Sequence, residues 1–261
     1  MSFTAKDVQR LRQATGAGMM DAKRALEETG GDFDAAAKVL REKGLAKSAS
    51  RSDRENTQGA VAVGRTDTAA AIVELKCETD FVAKSEQFLA VLDELLETVL
   101  KGGSVDEHAD KVDDLKVTLK ENIEVGRVER IELEPGQAVD TYLHKQEGRG
   151  VNGVIVVLEG GDEELAHEVA VSAAFSKPRY ITRDEVPEAD VAAERETLEG
   201  ITRAEGKPEQ AIPKIVEGRL NAWFKDQVLL EQPYAKDDKK SISDLLGDAK
   251  LAAFAQVYIG S

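Results

Sequence analysis

Two short strings carry the residues with chemistry to offer. The first, Cys77-Glu78-Thr79-Asp80-Phe81-Val82-Ala83-Lys84, joins a strand-like run, Ala71 to Cys77, to an apolar-periodic helix carrying Phe88, Leu89, Leu92, Leu95, Leu96 and Val99. Thr79 has the type of a helix N-cap, which sets Asp80 at the positive end of the helix dipole. Phe81 then has two destinations. It packs inward as ordinary local chemistry, or it is held rigid and presented outward beside an acid. An outward Phe next to a carboxylate offers non-covalent chemistry, an apolar wedge and an anionic acceptor aimed at another molecule. The second string is Thr15-Gly16-Ala17-Gly18-Met19-Met20-Asp21-Ala22-Lys23-Arg24-Ala25-Leu26.

Covalent chemistry finds no residues to stand on. Thr15-Gly16-Ala17-Gly18 contains a GxG, but it joins two helices and lacks the preceding strand that a phosphate loop needs, so it reads as an interhelical turn. Gly148-Arg149-Gly150-Val151-Asn152-Gly153 reads as a β-hairpin loop and fails the same test. His108, His144 and His167 lie on different elements with no nucleophile in a recognisable arrangement. Three histidines and one cysteine make no convincing zinc site, and no cofactor or metal is implied. The run Lys38, Arg41, Lys43, Lys47, Arg51 and Arg54 lacks the interleaved aromatics of a nucleic-acid surface and reads as a solvated helix and linker.

Composition narrows the class. A hydrophobic fraction of 41% and a charged fraction of 33% over 261 residues suit a soluble globular chain with a real core. No apolar stretch is long enough to span a bilayer, no export signal opens the chain, and the lone cysteine points to a reducing compartment, so the expectation is a cytoplasmic protein with no membrane partner. The net charge is −15. Residues 1–54 carry 11 Lys and Arg against 8 Asp and Glu, leaving 24 against 42 for the remainder. A field this negative repels nucleic acid, and a small basic module on an acidic body suits a protein partner.

The elements that must position these strings follow from periodicity. Residues 1–45 read as a three-helix module. Thr4 and Asp7 resemble a capping box, Gly16 and Gly18 break the first helix from the second, Gly30-Gly31 ends the second, Asp32 caps the third and Gly44 ends it. The layout is similar to ubiquitin-associated domains, in fold alone. Residues 46–57 read as a linker. An α+β core follows, its first half at 58–136 and its second at 137–186, each a hairpin followed by a helix, so the core reads as a duplication. Only the first copy carries an aromatic-plus-acid tip. Residues 187–227 read as an antiparallel helical hairpin with coiled-coil character, opened by Pro187 and striped by Val191, Leu198, Ile201, Ile212, Ile215, Val216, Leu220, Trp223 and Phe224. So narrow a pair protrudes or pairs, which suits a homodimer or a two-plus-two complex. Residues 228–261 return to the core, with a short helix at 241–246 and a last strand at 252–259.

The two strings, in this order and about sixty residues apart by the numbering, resemble the elongation factor Ts family. The likeness continues at Gln146–Val157, at Ser176-Lys177-Pro178 and at Val216-Glu217-Gly218-Arg219. It implies a non-enzymatic guanine-nucleotide exchange factor that binds elongation factor Tu, GDP-bound and nucleotide-free. It implies partner binding and Mg²⁺ dislocation by Thr79, Asp80, Phe81 and Val82, with further contacts from Met19, Met20, Lys23 and His144. Many members continue past the last strand into a helical module, so that contact is expected to be missing here. The alternative class is an adaptor that binds through its helical modules without changing its partner's nucleotide state.

Overall fold

The computed structural model describes residues 3–260; Met1, Ser2 and Ser261, the outermost positions of the expected first module and return segment, lie outside the described residues. The expected capping box is present. Thr4 Oγ1 accepts from the Asp7 amide while the Asp7 carboxylate takes the Thr4 amide, and α1 (Ala5–Thr15) begins. After the glycine turn comes α2 (Met19–Glu28), and Asp32 caps α3 (Phe33–Ala49) by accepting from the Ala35 amide. Val8, Leu11, Ala22, Ala25, Leu26, Ala36 and Leu40 form the core these helices share.

Gly44 does not end α3, which runs on to Ala49. Its role is close approach. A Cβ at position 44 would lie 2.5 Å from Val117 Cγ1 on α6 (Ala109–Leu119), so α3 rests on α6 where that atom is missing. Arg41 adds ion pairs to Asp110 and Asp114 (2.9 and 3.0 Å), and Arg51 Nη2 donates to the Lys116 carbonyl (3.0 Å).

β1 (Gln58–Arg65) and β2 (Ala69–Cys77) form the expected antiparallel hairpin, and β3 (Glu124–Glu132) pairs along the free side of β2. β2 is buried along nearly its whole length because both of its faces are covered. Ala71, Val73, Leu75 and Cys77 pack with Phe88, Leu92, Leu95 and Val99 of α5 (Glu86–Leu100). Alternation puts Ile72 on the opposite face, against Gly153. The 148–153 stretch is therefore not the hairpin loop that its glycines suggest. Only Glu147 and Gly148, both with positive φ, turn the chain between β4 (Ala138–Gln146) and β5 (Arg149–Glu159). A side chain at 153 would collide with Val61 Cγ1 at 2.9 Å, so the glycine serves the packing of a strand.

Residues 1–132, 143–153 and 257–261 make one compact unit, and residues 133–142 with 154–256 make the other. In the second, Val154, Val156 and Leu158 pack with Ala166, Val169, Ala170 and Ala173 of α7 (Glu163–Ser176). β8 (Lys250–Tyr258) joins β5 as β3 joins β2. Both halves of the core thus follow one plan of hairpin, helix and returning third strand, and the duplication extends one strand further than the sequence reading takes it.

α8 (Glu188–Ala204) and α9 (Ile212–Gln227) form the helical hairpin, joined through Gly206 and a 3-10 turn at Glu209–Ala211. The stripe on α9 is as expected, with Ile212, Val216, Leu220 and Phe224 buried. On α8 Val191 and Leu198 pack as expected, but Ile201 is exposed and Thr202 takes the inner position. The Thr202 hydroxyl donates to the Leu198 carbonyl (2.6 Å) and accepts from Arg219 (3.2 Å), which also grips both oxygens of Glu205. Residues 233–241 hold a small hairpin, β6 (Pro233–Tyr234) and β7 (Asp237–Ser241), before Ser241 caps α10 (Ile242–Leu246). Among the described residues no helix is long and apolar enough to cross a membrane.

Candidate partner-binding surface

Phe81 points outward. Its ring is 80% exposed, so of its two destinations the structure takes the second. The ring stands on α4 (Asp80–Ala83), a single turn that the sequence reading merges with α5. Thr79 is the N-cap as expected, its hydroxyl accepting from the Val82 amide (3.3 Å). The turn then breaks at Lys84 and Ser85, where Ser85 Oγ donates back to the Val82 carbonyl (2.8 Å). Ala83 and Val82 fix the turn from beneath, Ala83 fully buried and Val82 packed against the core below β2 and α5. One turn is too short to be stable alone, so this tip depends on bonds from elsewhere.

Glu121 supplies them. One carboxylate oxygen accepts from the amides of Glu78 (2.9 Å) and Thr79 (3.1 Å), and the other from the Thr79 hydroxyl (2.6 Å). Glu78 answers by accepting from the Asn122 amide (2.7 Å). Asn122, itself buried, donates to the carbonyls of Ser52 and Arg54 (3.1 and 2.8 Å). Lys120, in the left-handed region at φ 62°, turns the end of α6 so that Glu121 and Asn122 face the tip. Nothing in the spacing of the sequence announces Glu121, which lies 42 positions from Thr79.

Asp80 is held from the other side. Lys84 Nζ donates to Asp80 Oδ2 (2.7 Å) and to Glu147 Oε2 (2.7 Å), and stands 5.4 Å from the centre of the Phe81 ring. The hydrogen bond from Lys84 holds the Asp80 carboxyl below its usual range, and the bonds to Asp80 and Glu147 push the Lys84 ammonium up. Behind the tip, burial, assisted by the Glu121 charge, pushes the Cys77 thiol up to about 12. The only cysteine is thus a protonated core side chain, its Sγ donating to the Thr79 carbonyl (3.2 Å).

The remaining candidate residues fall into two places. His144 is exposed on β4, three residues before Glu147 and so within roughly 10 Å of chain from the clamp on Lys84. Met19 (47% exposed), Met20 (62% exposed) and Lys23 form a separate group on the first turns of α2, with Lys23 paired to Glu27 (3.7 Å). Among the described residues, no hydrogen bond or ion pair ties that group to the tip. The structure therefore shows an exposed aromatic-plus-acid tip and, separately, an exposed two-methionine patch, residue kinds enriched at the cores of protein interfaces. Among the described residues no three His, Cys, Asp or Glu side chains gather as a metal site.

The family model described as elongation factor TS matches residues 78–261. Elongation factor Ts of Acidothermus cellulolyticus is 45% identical, the match covering 99% of this chain and 99% of that protein. The proteins of the same name from Thermobifida fusca and Mycobacterium marinum are 42% and 43% identical, each match covering 95% of this chain and 94% of the relative.

Proposed function

This chain belongs to the elongation factor Ts family, and from that premise we propose that it is a guanine-nucleotide exchange factor for elongation factor Tu in translation elongation. The observation that carries the reading is a large aromatic ring left in solvent on a turn that Glu121 and Lys84 hold rigid. A side chain of this size gains about 1.5–3 kcal/mol when buried, and here the burial is left for a partner.

The mechanism follows from linkage. A protein that binds the nucleotide-free GTPase more tightly than the GDP form weakens GDP by the same factor. Phe81 enters the partner's nucleotide-binding domain as a wedge, and Asp80 draws on polar groups that hold the water around its Mg²⁺. That ion tolerates little distortion of its octahedral shell, so small shifts nearby release it and GDP follows. Met19, Met20 and Lys23 dock the amino-terminal module on the same domain near its phosphate loop, His144 adds a contact, and the second half of the core holds another partner domain. No covalent bond changes, so the protein acts by binding alone.

The test is stopped-flow release of labelled GDP from elongation factor Tu. The protein should accelerate release, and Phe81→Ala should lose most of that acceleration while its unfolding free energy stays within about 0.5 kcal/mol, as befits an exposed residue. A core Phe would instead cost about 3–5 kcal/mol. Chelating Mg²⁺ should shrink the acceleration by the unaltered protein. Tight binding with no acceleration at any Mg²⁺ concentration would favour the adaptor reading.

A further inference from the structure

Two features singled out in the sequence remain unused by this function, the Thr15–Gly18 turn and the basic run that ends α3. The fold brings both onto one cavity of about 680 Å³, closed on its third side by the end of α6. Five cations line it: Arg24, Lys43, Lys47, Arg51 and Lys120. Two are answered locally, Lys43 by Glu28 (2.8 Å) and Arg24 by Asp21 (3.6 Å). Lys47, Arg51 and Lys120 have no carboxylate partner among the described residues. The guanidinium of Arg51 reaches only the Lys116 carbonyl, and its Nε is buried without a hydrogen-bond partner.

Three unanswered positive charges around one cavity are unusual in a chain of net charge −15. They come from separate places: Lys47 from the last turn of α3, Arg51 from the segment just beyond it, and Lys120 from the residue that ends α6. Lys120 holds a left-handed backbone that glycine or asparagine adopts more easily, yet the position carries a lysine whose side chain lines the cavity. Leu40, Ala46 and Val117 give the cavity apolar wall as well. Its volume is of the size that takes a small organic ligand, well beyond one carboxylate.

We propose that this cavity binds a small phosphorylated molecule bearing two or more phosphoryl groups, held by Lys47, Arg51 and Lys120. An arginine fork and two point-charge lysines suit adjacent phosphoryl oxygens. The positive end of the α2 dipole, at Gly18 on the cavity wall, adds to the same field. The proposal does not depend on the exchange reading, although Lys120 adjoins Glu121, which braces the Phe81 tip.

The test uses the full-length ¹⁵N-labelled protein titrated with orthophosphate, pyrophosphate and tripolyphosphate at constant ionic strength. Tripolyphosphate should give saturable shifts at the amides of Gly16, Gly18, Lys47 and Lys120, with a Kd of about 1 mM or tighter, and affinity should rise with phosphoryl number. Lys47→Gln and Lys120→Gln should each weaken binding about tenfold, the usual effect of removing one charge-assisted bond. Lys6→Gln, on α1, should leave it unchanged. The competing reading is that these cations only complement the carbonyl ends of α3 and α6. It predicts a lower melting temperature for the glutamine variants and linear, unsaturated shifts with every phosphate, and that result would overturn the site. So would equal weakening by Lys6→Gln, which would reduce the binding to general charge.

Discussion

Lys84 has two carboxylates to itself, and the pH behaviour of the tip follows from them. Asp80 is held below its ordinary value of 3.8, so its contribution is present above that pH and is lost as pH falls through the lower, folded value. Lys84 is raised above 10.5, so its contribution is present below that pH and is lost only as pH rises past the folded value. Both groups are charged between about pH 5 and pH 9. The part of nucleotide release that depends on Asp80, read as the ratio of wild type to Asp80→Ala, should be flat over that range. A ratio that titrates near neutrality would assign the effect to another group. Thr79, Asp80 and Phe81 were legible in the sequence because a cap, an acid and an aromatic are local signals. Glu121 and Glu147 were not, because a carboxylate that braces a loop across 42 or 63 positions leaves no trace in spacing.

Among the elements, α3 teaches most. Glycine after a run of helix reads as a stop, yet Gly44 sits inside α3 with Val117 against it. Local sequence cannot distinguish a glycine that ends a helix from one that lets two helices touch. The break between α4 and α5 was hidden for a related reason, since Val82 and Phe88 both serve one core and the apolar pattern runs through it. Thr202 in place of Ile201 on α8 escaped because its inward position depends on Arg219 of the facing helix. The strands and helices of the duplicated core were readable from alternation and periodicity alone. The α3–α6 contact carries a prediction. Gly44→Ala should cost about 1–3 kcal/mol by overpacking and weaken binding to elongation factor Tu, because the Met19 and Met20 patch rides on the module that α3 anchors. Val117→Ala should rescue the double variant, giving a coupling of about 0.5–3 kcal/mol in chemical denaturation. Additive losses would mean that the two side chains do not meet.

At the scale of the whole molecule, neither compact unit is a continuous piece of chain. The first takes residues 143–153 from between the two stretches of the second and 257–261 from beyond it. Val257 is fully buried, and the Ile259 amide donates to the Val151 carbonyl (3.0 Å). Deleting residues 257–261 should therefore cost about 2 kcal/mol or more from the lost valine burial alone. The loss should appear in the unit that holds β1 and β2, as faster amide exchange at 58–77, while α8 and α9 change less. Exchange unchanged at 58–77 would show that the last residues are dispensable to that unit. For the same reason, residues 1–132 expressed alone would lack Arg149, whose guanidinium donates to the Gly59 carbonyl (2.6 Å) and to Gln58 (3.0 Å).

The carboxylate of Glu121 has one more consequence, and it concerns rates. Ordering a loop or a long side chain at the moment of docking costs about 0.5–1.5 kcal/mol per immobilised group. At the tip that ordering is complete before any encounter, since the Glu78 and Thr79 amides and the Thr79 hydroxyl are already bonded. Association is then limited by orienting two rigid bodies, with a rate constant of about 10⁵–10⁷ M⁻¹s⁻¹ for such encounters, and no folding step is added to it. A factor that must visit many GTPase molecules in turn needs arrival and departure to be quick. In the proposed docking, a tip made rigid in advance quickens arrival, and the ordering cost that it avoids also tightens the complex.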